Sequence, residues 1–303
     1  MFSLSRLPVC SSCLETIEPI TQARCNVCGD LLSRADAAFG DARCPVCMAN
    51  EPAFARAVQF AAYNGTSRQL VHLLKYDRLR PAASVLGRMA AQACLQLEGD
   101  IDAEELLVIP VPVHKLRLRS RGFNQAELIA RAALHDAEEA IGRRLILDTT
   151  TLLRVRFAES QVGATLEERR RQIRGAFKVT SRERVRGRDI LLVDDVLTTG
   201  ATASECAREL RQAGAARVWV VTPARALSRV AVESFASMAC EVTSHAADEN
   251  FSPEHLSGKQ VQLSSSHSCG SEAARGTLLQ HRGIPSAYGE QPAGWHAARD
   301  SLS

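Results

Sequence analysis

A chain of 303 residues, 46% of them hydrophobic, is long enough to bury one sizeable core and a smaller module. A formal net charge of +3 is too small to indicate a nucleic-acid or membrane-surface protein by itself. No apolar run approaches the ~20 residues that span a bilayer, and residues 1–8 lack the hydrophobic region of a signal peptide. We therefore expect a globular, cytoplasmic protein without membrane insertion.

The first part of the chain, residues 1–52, contains three Cys-x-x-Cys pairs among the protein's ten cysteines. Fifteen residues separate Cys28 from Cys44, so the pairs Cys25/Cys28 and Cys44/Cys47 have the spacing of a zinc ribbon. Gly29 follows Cys28 directly, as the tight turn of such a site requires. The sequence predicts a small module that holds Zn²⁺ on thiolates.

The remaining pair, Cys10 and Cys13, has several interpretations as a further metal-binding pair. It can replace one pair in the zinc site, complete a second site with another chain, or remain from a duplicated ribbon. A thioredoxin-like redox role is the weaker alternative, because those motifs lie in a βαβ context that this module lacks.

Residues 53–228 alternate between helical and strand patterns, which predicts an α/β domain with a parallel sheet flanked by helices. Cys94 and Cys206 lie within helical patterns and are expected to be buried apolar residues. The predicted helices are 67–76, 84–97, 124–134 and 203–213, and the predicted strands are 106–111, 190–193 and 218–222, the last stopped by Pro223.

In the last part of the chain, residues 229–303, the alternating pattern fades, and residues 243–303 are rich in Ser, Gly, His and Glu without an apolar period. This composition predicts a disordered tail. Either a lineage-specific extension or a shifted reading frame would produce it.

Residues 190–202 read Ile-Leu-Leu-Val-Asp-Asp-Val-Leu-Thr-Thr-Gly-Ala-Thr. The apolar run predicts a strand buried on both faces, and the small and hydroxyl residues after it suit a phosphate at a helix start. The predicted phosphate ligands are Thr198, Thr199, Gly200, Ala201 and Thr202. A carboxylate pair repels phosphate, so Asp194 and Asp195 are expected to bind sugar hydroxyls or a divalent cation.

Several cations follow the strand at 106–111 and are predicted to form a basic loop at the sheet edge that can neutralise an anion. They are His114, Lys115, Arg117, Arg119 and Arg121. The alternation with Leu116 and Leu118 also suits an edge strand with one solvated basic face. We favour a functional role for Arg121, whereas Arg117 and Arg119 fit either interpretation. Asn124 is a candidate helix cap, and residues 169–171 are three arginines typical of a solvated helix face.

Residues 190–202 resemble the 5-phosphoribosyl 1-diphosphate (PRPP) binding motif of type I phosphoribosyltransferases. Three more segments narrow the resemblance to the ComF family of competence-associated, amidophosphoribosyltransferase-like proteins; they are Leu74-Lys75-Tyr76, the run Arg121-Gly122-Phe123-Asn124-Gln125-Ala126-Glu127, and residues 154–177 with Arg154, Arg156, Gln161 and Gly175-Ala176-Phe177. The resemblance covers about residues 9–225. Gln172 stands where the family has Asn, and Ala158 and Ser160 replace threonines.

The resemblance implies the type I phosphoribosyltransferase fold and displacement of diphosphate from PRPP by a nitrogen acceptor, with Mg²⁺. In this reading Asp194, Asp195 and Arg121 are catalytic, Lys115 binds substrate, and Arg154, Arg156 and Gln161 lie in a long loop over it. The alternative is a non-catalytic accessory protein of DNA uptake, whose zinc ribbon binds single-stranded DNA or a helicase. The ribbon offers Arg24, Arg34, Phe39 and Arg43 for such contacts, and an oligomer is compatible with either function.

Overall fold

The computed structural model describes residues 9–33, 37, 42–157 and 166–227. The tail predicted over 229–303 lies outside the described residues, as do Gln161, Ala158, Ser160, Arg34 and Phe39.

A parallel sheet forms the centre of the described chain. The strands are β1 (Arg56–Ala62), β2 (Glu105–Pro110), β3 (Arg144–Leu147), β4 (Leu152–Arg154), β5 (Phe177–Val179), β6 (Asp189–Val193), β7 (Val196–Leu197) and β8 (Arg217–Arg225). Six of them form the sheet in the order β1-β8-β6-β2-β3, with β7 paired to β8, and every pairing is parallel. β4 and β5 form a separate antiparallel pair. The predicted α/β class with a parallel sheet is confirmed.

Helices connect the strands. They are α1 (Ser11–Glu15), α2 (Pro45–Ala49), α3 (Gly65–Lys75), α4 (Ala82–Cys94), α5 (Lys115–Arg121), α6 (Gln125–Ile141), α7 (Leu166–Ile173) and α8 (Ala201–Gln212). A short 3₁₀ turn, Leu95–Leu97, continues α4. Within the described ranges no helix has both the length and the apolar character needed to cross a lipid bilayer.

The central strand β6 is buried over its whole length, as its apolar sequence predicts. Ile190 and Leu192 pack in a core that includes residues of α8, whereas Leu191 and Val193 pack in a core that includes residues of α4 and α6. Successive side chains of a strand point to opposite faces, so helices cover both sides of the sheet. This arrangement leaves the ends of the strands as the place where a ligand can approach.

The four predicted helices are present, and Cys94 and Cys206 are buried as expected. The prediction that Pro223 ends the last strand was wrong, because β8 continues to Arg225. Its ladder to β1 joins Thr222 to Gln59 and Ala224 to Ala61. Proline lacks only its own N–H group, so neighbouring residues can keep the strand paired on both sides of it.

The N-terminal module covers the outer edge of β1. Ile20 N donates to Phe60 O at 2.8 Å, and Ala57 N donates to Val27 O at 2.7 Å. The buried side chains of the module, among them Cys25 and Leu32, share a hydrophobic core with residues of β6 and α8. Without the module, β1 would present unpaired backbone groups at the sheet edge.

The basic segment after β2 is a helix, so both the loop and the edge strand predicted for it were wrong. His114 caps α5 by accepting a hydrogen bond at Nδ1 from Leu116 N, and Gly122 ends the helix with φ +84°. A left-handed residue after the last turn is a common helix stop and favours glycine. Leu116 and Leu118 are therefore exposed on a short helix rather than buried under a strand.

Candidate active site and metal centre

The acidic pair follows the buried end of β6, where the strand leaves the sheet. Asp195 is buried, and its Oδ1 lies 2.8 Å from Nζ of Lys75, the last residue of α3. Asp194 is only partly exposed, and its Oδ1 accepts a hydrogen bond from Asp195 N at 2.8 Å. The two acids are thus not equivalent: Asp194 is partly exposed to solvent, whereas Asp195 is buried and paired with the lysine at the end of α3.

The electrostatics of this pair follow from its burial. Desolvation raises the pKa of Asp194 to about 7, and the charge of Asp195 acts in the same direction. Burial lowers the pKa of Lys75, but the carboxylate of Asp195 outweighs this effect, so the pKa is raised overall. The lysine therefore remains charged and compensates Asp195.

The Thr-Thr-Gly run forms the turn between β7 and α8. Gly200 has φ +74° and stands at the N-cap of α8, where no side-chain capping hydrogen bond is present. The first N–H groups of a helix lack partners within the helix, so this end attracts an anion. Thr198 is exposed and Thr202 partly exposed, whereas Ala201 is buried beneath the turn.

Basic side chains approach the acidic pair from α5. Arg121, at the end of the helix, donates to Gln125 Oε1 at 2.7 Å, and its guanidinium lies 6.0 Å from the centre of the Tyr76 ring. Burial and the nearby charge of Arg117 lower the pKa of Arg121, while the charge of Asp195 opposes this shift. Lys115, the first residue of α5, is exposed.

The β4–β5 pair brings a further arginine to the site. Arg154 ends β4, stacks over the Phe177 ring at 5.5 Å, and has a buried Nε without a hydrogen-bond partner in the described chain. Burial, then repulsion from Arg117, lowers the pKa of Arg154, and Asp194 opposes the shift. Arg156 lies just beyond the strand and donates to Arg174 O at 2.9 Å. The long loop predicted for these arginines thus contains a strand.

The structure brings Asp194, Asp195, Arg121 and the residues from Thr198 to Thr202 to one edge of the sheet. Glu205 on α8 has a role that the sequence does not indicate: its Oε1 accepts a hydrogen bond from Gly175 N at 2.5 Å and so attaches the β4–β5 pair to the helix of the phosphate turn. An acid in the middle of a helix gives no short-range signal of such a contact.

Asn124, the predicted helix cap, and the three arginines at residues 169–171 belong to two different helices. Asn124 caps α6, since its Oδ1 accepts a hydrogen bond from Ala126 N at 3.1 Å. Arg169, Arg170 and Arg171 lie in α7, where Arg171 is exposed as a solvated helix face requires.

Four cysteines form a compact group in the N-terminal module. The Sγ atoms of Cys25, Cys28, Cys44 and Cys47 all lie within 4.8 Å of one another, and the four residues are buried. Cys28 Sγ and Cys44 Sγ are 3.7 Å apart, close to the roughly 3.8 Å that a tetrahedral Zn–S bond length of about 2.3 Å requires. The donor set fits zinc.

Cys10 and Cys13 lie apart from this group, at the start of α1. Cys10 is exposed, and a hydrogen bond from Ser12 lowers its pKa to about 7. The four-sulfur group is complete without them, so the interpretation in which this pair replaces another in the same site is wrong.

Comparison with known proteins adds to this geometry. Residues 128–254 match the phosphoribosyl transferase domain family. The DNA utilization protein YhgH of Salmonella typhimurium is 30% identical over 219 residues, covering 72% of this chain and 90% of the relative. Competence protein F of Haemophilus influenzae is 27% identical over 222 residues, with the same coverage.

Among solved structures, an allosteric regulatory enzyme of purine biosynthesis is 23% identical and covers 48% of this chain and 26% of its own, with a TM-score of 0.28. The sequence relatives are sufficient: with its four-cysteine module and its phosphoribosyl transferase domain, the chain belongs to the ComF family of competence-associated proteins.

Proposed function

We propose that the chain binds PRPP with Mg²⁺ at the carboxyl edge of the sheet and displaces diphosphate from it. The observation that carries the proposal is the position of Asp194: it is partly exposed, lies in the segment that leads to the start of α8, and is within electrostatic range of Arg154. The carboxylate suits the ribose hydroxyls of PRPP, the helix start suits its monophosphate, and the arginine suits its diphosphate.

Each part of the ligand has a place in this arrangement. The 5-phosphate binds at the turn from Thr198 to Thr202, and Asp194 accepts hydrogen bonds from the ribose hydroxyls. The diphosphate binds toward Lys115 and Arg121 on α5. Asp195 supports the site from below, because its Oδ1 is occupied by Lys75.

The acidic pair also fits Mg²⁺. Oδ2 of Asp195 is buried without a hydrogen-bond partner in the described chain, and Asp194 offers a carboxylate beside it. Magnesium prefers one or two carboxylates together with substrate phosphate oxygens. When bound, the ion would neutralise negative charge on the diphosphate.

The reaction is substitution at C1 of the ribose. A nitrogen nucleophile forms a bond to C1, the C1–O bond breaks, and its electron pair leaves with diphosphate, while the nitrogen loses a proton to water. Positive charge grows on the sugar ring, so the carboxylates near it stabilise the transition state. Arg121 and Lys115 stabilise the departing negative charge, and no covalent intermediate with the protein is required.

Isothermal titration with PRPP and Mg²⁺ tests binding, and a diphosphate-release assay with nucleobases and small amines tests turnover. Asp194→Asn should weaken PRPP binding at least about tenfold, because it removes a charged acceptor of hydroxyl protons. Asp102→Asn is the matched control, since Asp102 is exposed at the opposite edge of the sheet and should leave affinity unchanged. Equal affinity for PRPP in the wild type, Asp194→Asn and Asp102→Asn would refute the proposed site.

A second candidate function, binding of single-stranded DNA, is favoured by one surface. The arginine–aromatic rim consists of Tyr76, Arg78, Arg117, Arg121 and Phe157. The residues Tyr76 and Phe157 are 66% and 44% exposed, and the guanidinium of Arg117 lies 5.8 Å from the centre of the Phe157 ring. Exposed rings interleaved with cations are typical of surfaces on which bases stack and phosphates bind.

This rim supports DNA binding better than the N-terminal module does. Arg24 is partly buried and bonds to Gln59 O at 3.4 Å, and Arg43 lies 3.9 Å from a carboxylate oxygen of Glu51. The relatives named for DNA utilization and competence support the setting of DNA uptake, which would place the protein in the cytoplasm.

Fluorescence anisotropy with labelled oligo(dT) tests this candidate. Arg117→Ala and Phe157→Ala should each weaken binding about tenfold, and the arginine variant should also show a smaller salt dependence. Arg131→Ala, which removes an exposed arginine from α6, is the control. Unchanged binding in the rim variants would exclude the rim, and loss of binding in Arg43→Ala alone would assign DNA to the module.

A further inference from the structure

Arg225, the last residue of β8, reaches from the sheet into the four-cysteine group. Its Nη2 lies 3.5 Å from Cys28 Sγ and 3.3 Å from Asp30 Oδ2, and the residue is 4% exposed. Its Nε and Nη1 have no hydrogen-bond partner in the described part of the chain. A guanidinium is always charged, so burial with two unpaired N–H groups is unfavourable unless further negative charge lies close by.

A metal held by the four cysteines supplies that charge. Four thiolates around a divalent ion carry a net charge of about −2, spread over the sulfur atoms. Asp30 adds one more negative charge, and it faces the same nitrogen of Arg225 as Cys28 does. Arg225 is therefore directed toward a cluster whose charge it offsets only in part.

Gln59 holds the same cysteine from the neighbouring strand β1. Its Nε2 donates to Cys28 O at 3.3 Å, and the side chain is fully buried. Gly29, the next residue after Cys28, has φ +71°, and the amide of Gln59 occupies the space that a Cβ there would need. The turn at Cys28 is thus fixed by two side chains of the sheet.

We infer that Arg225 is the charge-compensating residue of the metal centre. It offsets the negative charge of the metal–thiolate cluster at Cys28 and fastens the cluster to the end of β8. The inference rests on the proposed zinc site and does not depend on PRPP chemistry, so the two can fail separately.

Zinc release from the full-length protein to an excess of a chromophoric chelator tests the inference. Arg225→Met should release zinc about 10- to 100-fold faster, the range typical for lost outer-sphere partners of a metal site. Arg225→Lys should lie between this variant and the wild type, because it keeps the charge but loses the planar fork. Arg217→Met is the control. Arg217 lies at the other end of β8, where it pairs with Asp189 and Asp102, and its replacement should leave the rate of zinc release unchanged.

A second variant separates charge compensation from general loss of structure. Asp30→Asn keeps the side-chain shape, removes the competing negative charge and should slow zinc release. A merely destabilised module would release zinc faster in both variants. Release at the wild-type rate from Arg225→Met, faster release from Asp30→Asn, or a purified protein that binds no zinc would each overturn the inference.

Discussion

Lys75 Nζ lies 2.8 Å from Oδ1 of Asp195, joining the end of α3 to the turn that follows β6. The carboxylate is almost fully buried, and the lysine is about one-fifth exposed (22%). The acid next to it in sequence, Asp194, remains partly open to solvent. One lysine therefore gives the two acids different environments: Asp195 is buried and paired, whereas Asp194 is not paired with the lysine and is partly exposed.

Breaking this ion pair should destabilise the fold. Lys75→Met leaves a buried carboxylate uncompensated, and Asp195→Asn leaves a buried ammonium, so each should lower the free energy of unfolding by about 2–4 kcal/mol. The double variant should lose less than the sum, because neither charge remains unpaired. Urea titrations of the four proteins measure the coupling, and strictly additive losses would show that the contact contributes nothing.

This pair also shows where prediction from sequence ends. The strand, the acidic pair and the Thr-Thr-Gly turn are contiguous, so their order alone predicted a sheet edge with a phosphate site. The partner of Asp195 comes from another helix far away in the sequence, and no local pattern identifies it. For the same reason the contacts of Glu205 and Arg225 were found only in the structure.

The prediction of a loop or an edge strand for the basic segment after β2 was wrong for a different reason. Leucine and arginine alternate from Lys115 to Arg121, which suits the period of a strand, yet seven residues are too few to distinguish that period from a helix. His114 as the cap and Gly122 as the stop were the better signals. The capping residues therefore indicated the helix more reliably than the alternation of leucine and arginine indicated a strand.

Asp194 should make stability depend on pH. Its pKa is about 7 in the folded protein against an ordinary 3.8, so the folded state binds more protons between these values. The penalty is absent below about pH 4 and grows to roughly 4 kcal/mol as the pH rises to about 7, at about 1.4 kcal/mol for each pKa unit. Asp194→Asn should flatten this part of the stability curve, whereas Asp102→Asn should not. A decline of equal size in the Asp194 variant would assign it to other groups.

Gly200→Ala should separate backbone strain from binding. The φ of +74° is unfavourable for alanine, but the nearest atom to a new Cβ, in the Phe54 ring, is 3.7 Å away, so no clash is expected. Stability should fall by about 1–2 kcal/mol. Gly99→Ala carries the same kind of strain at φ +84° with no atom within 4 Å and serves as control. Only the Gly200 variant should weaken binding of ribose 5-phosphate in calorimetry.

Removing metal from the four-cysteine group should weaken the phosphate turn. Arg225 contacts Cys28 and pairs with Leu197 in the β7–β8 ladder, and Ala226 N donates to Leu197 O at 2.9 Å. The next residue, Thr198, begins the turn, so a loosened end of β8 should reach it directly. We expect faster hydrogen exchange over residues 196–202 and weaker ribose 5-phosphate binding after chelation. Because linkage of binding free energies is reciprocal, ribose 5-phosphate should in turn increase the zinc affinity by the same factor. Independent responses of metal and sugar phosphate would show that the module and the turn are stabilised separately.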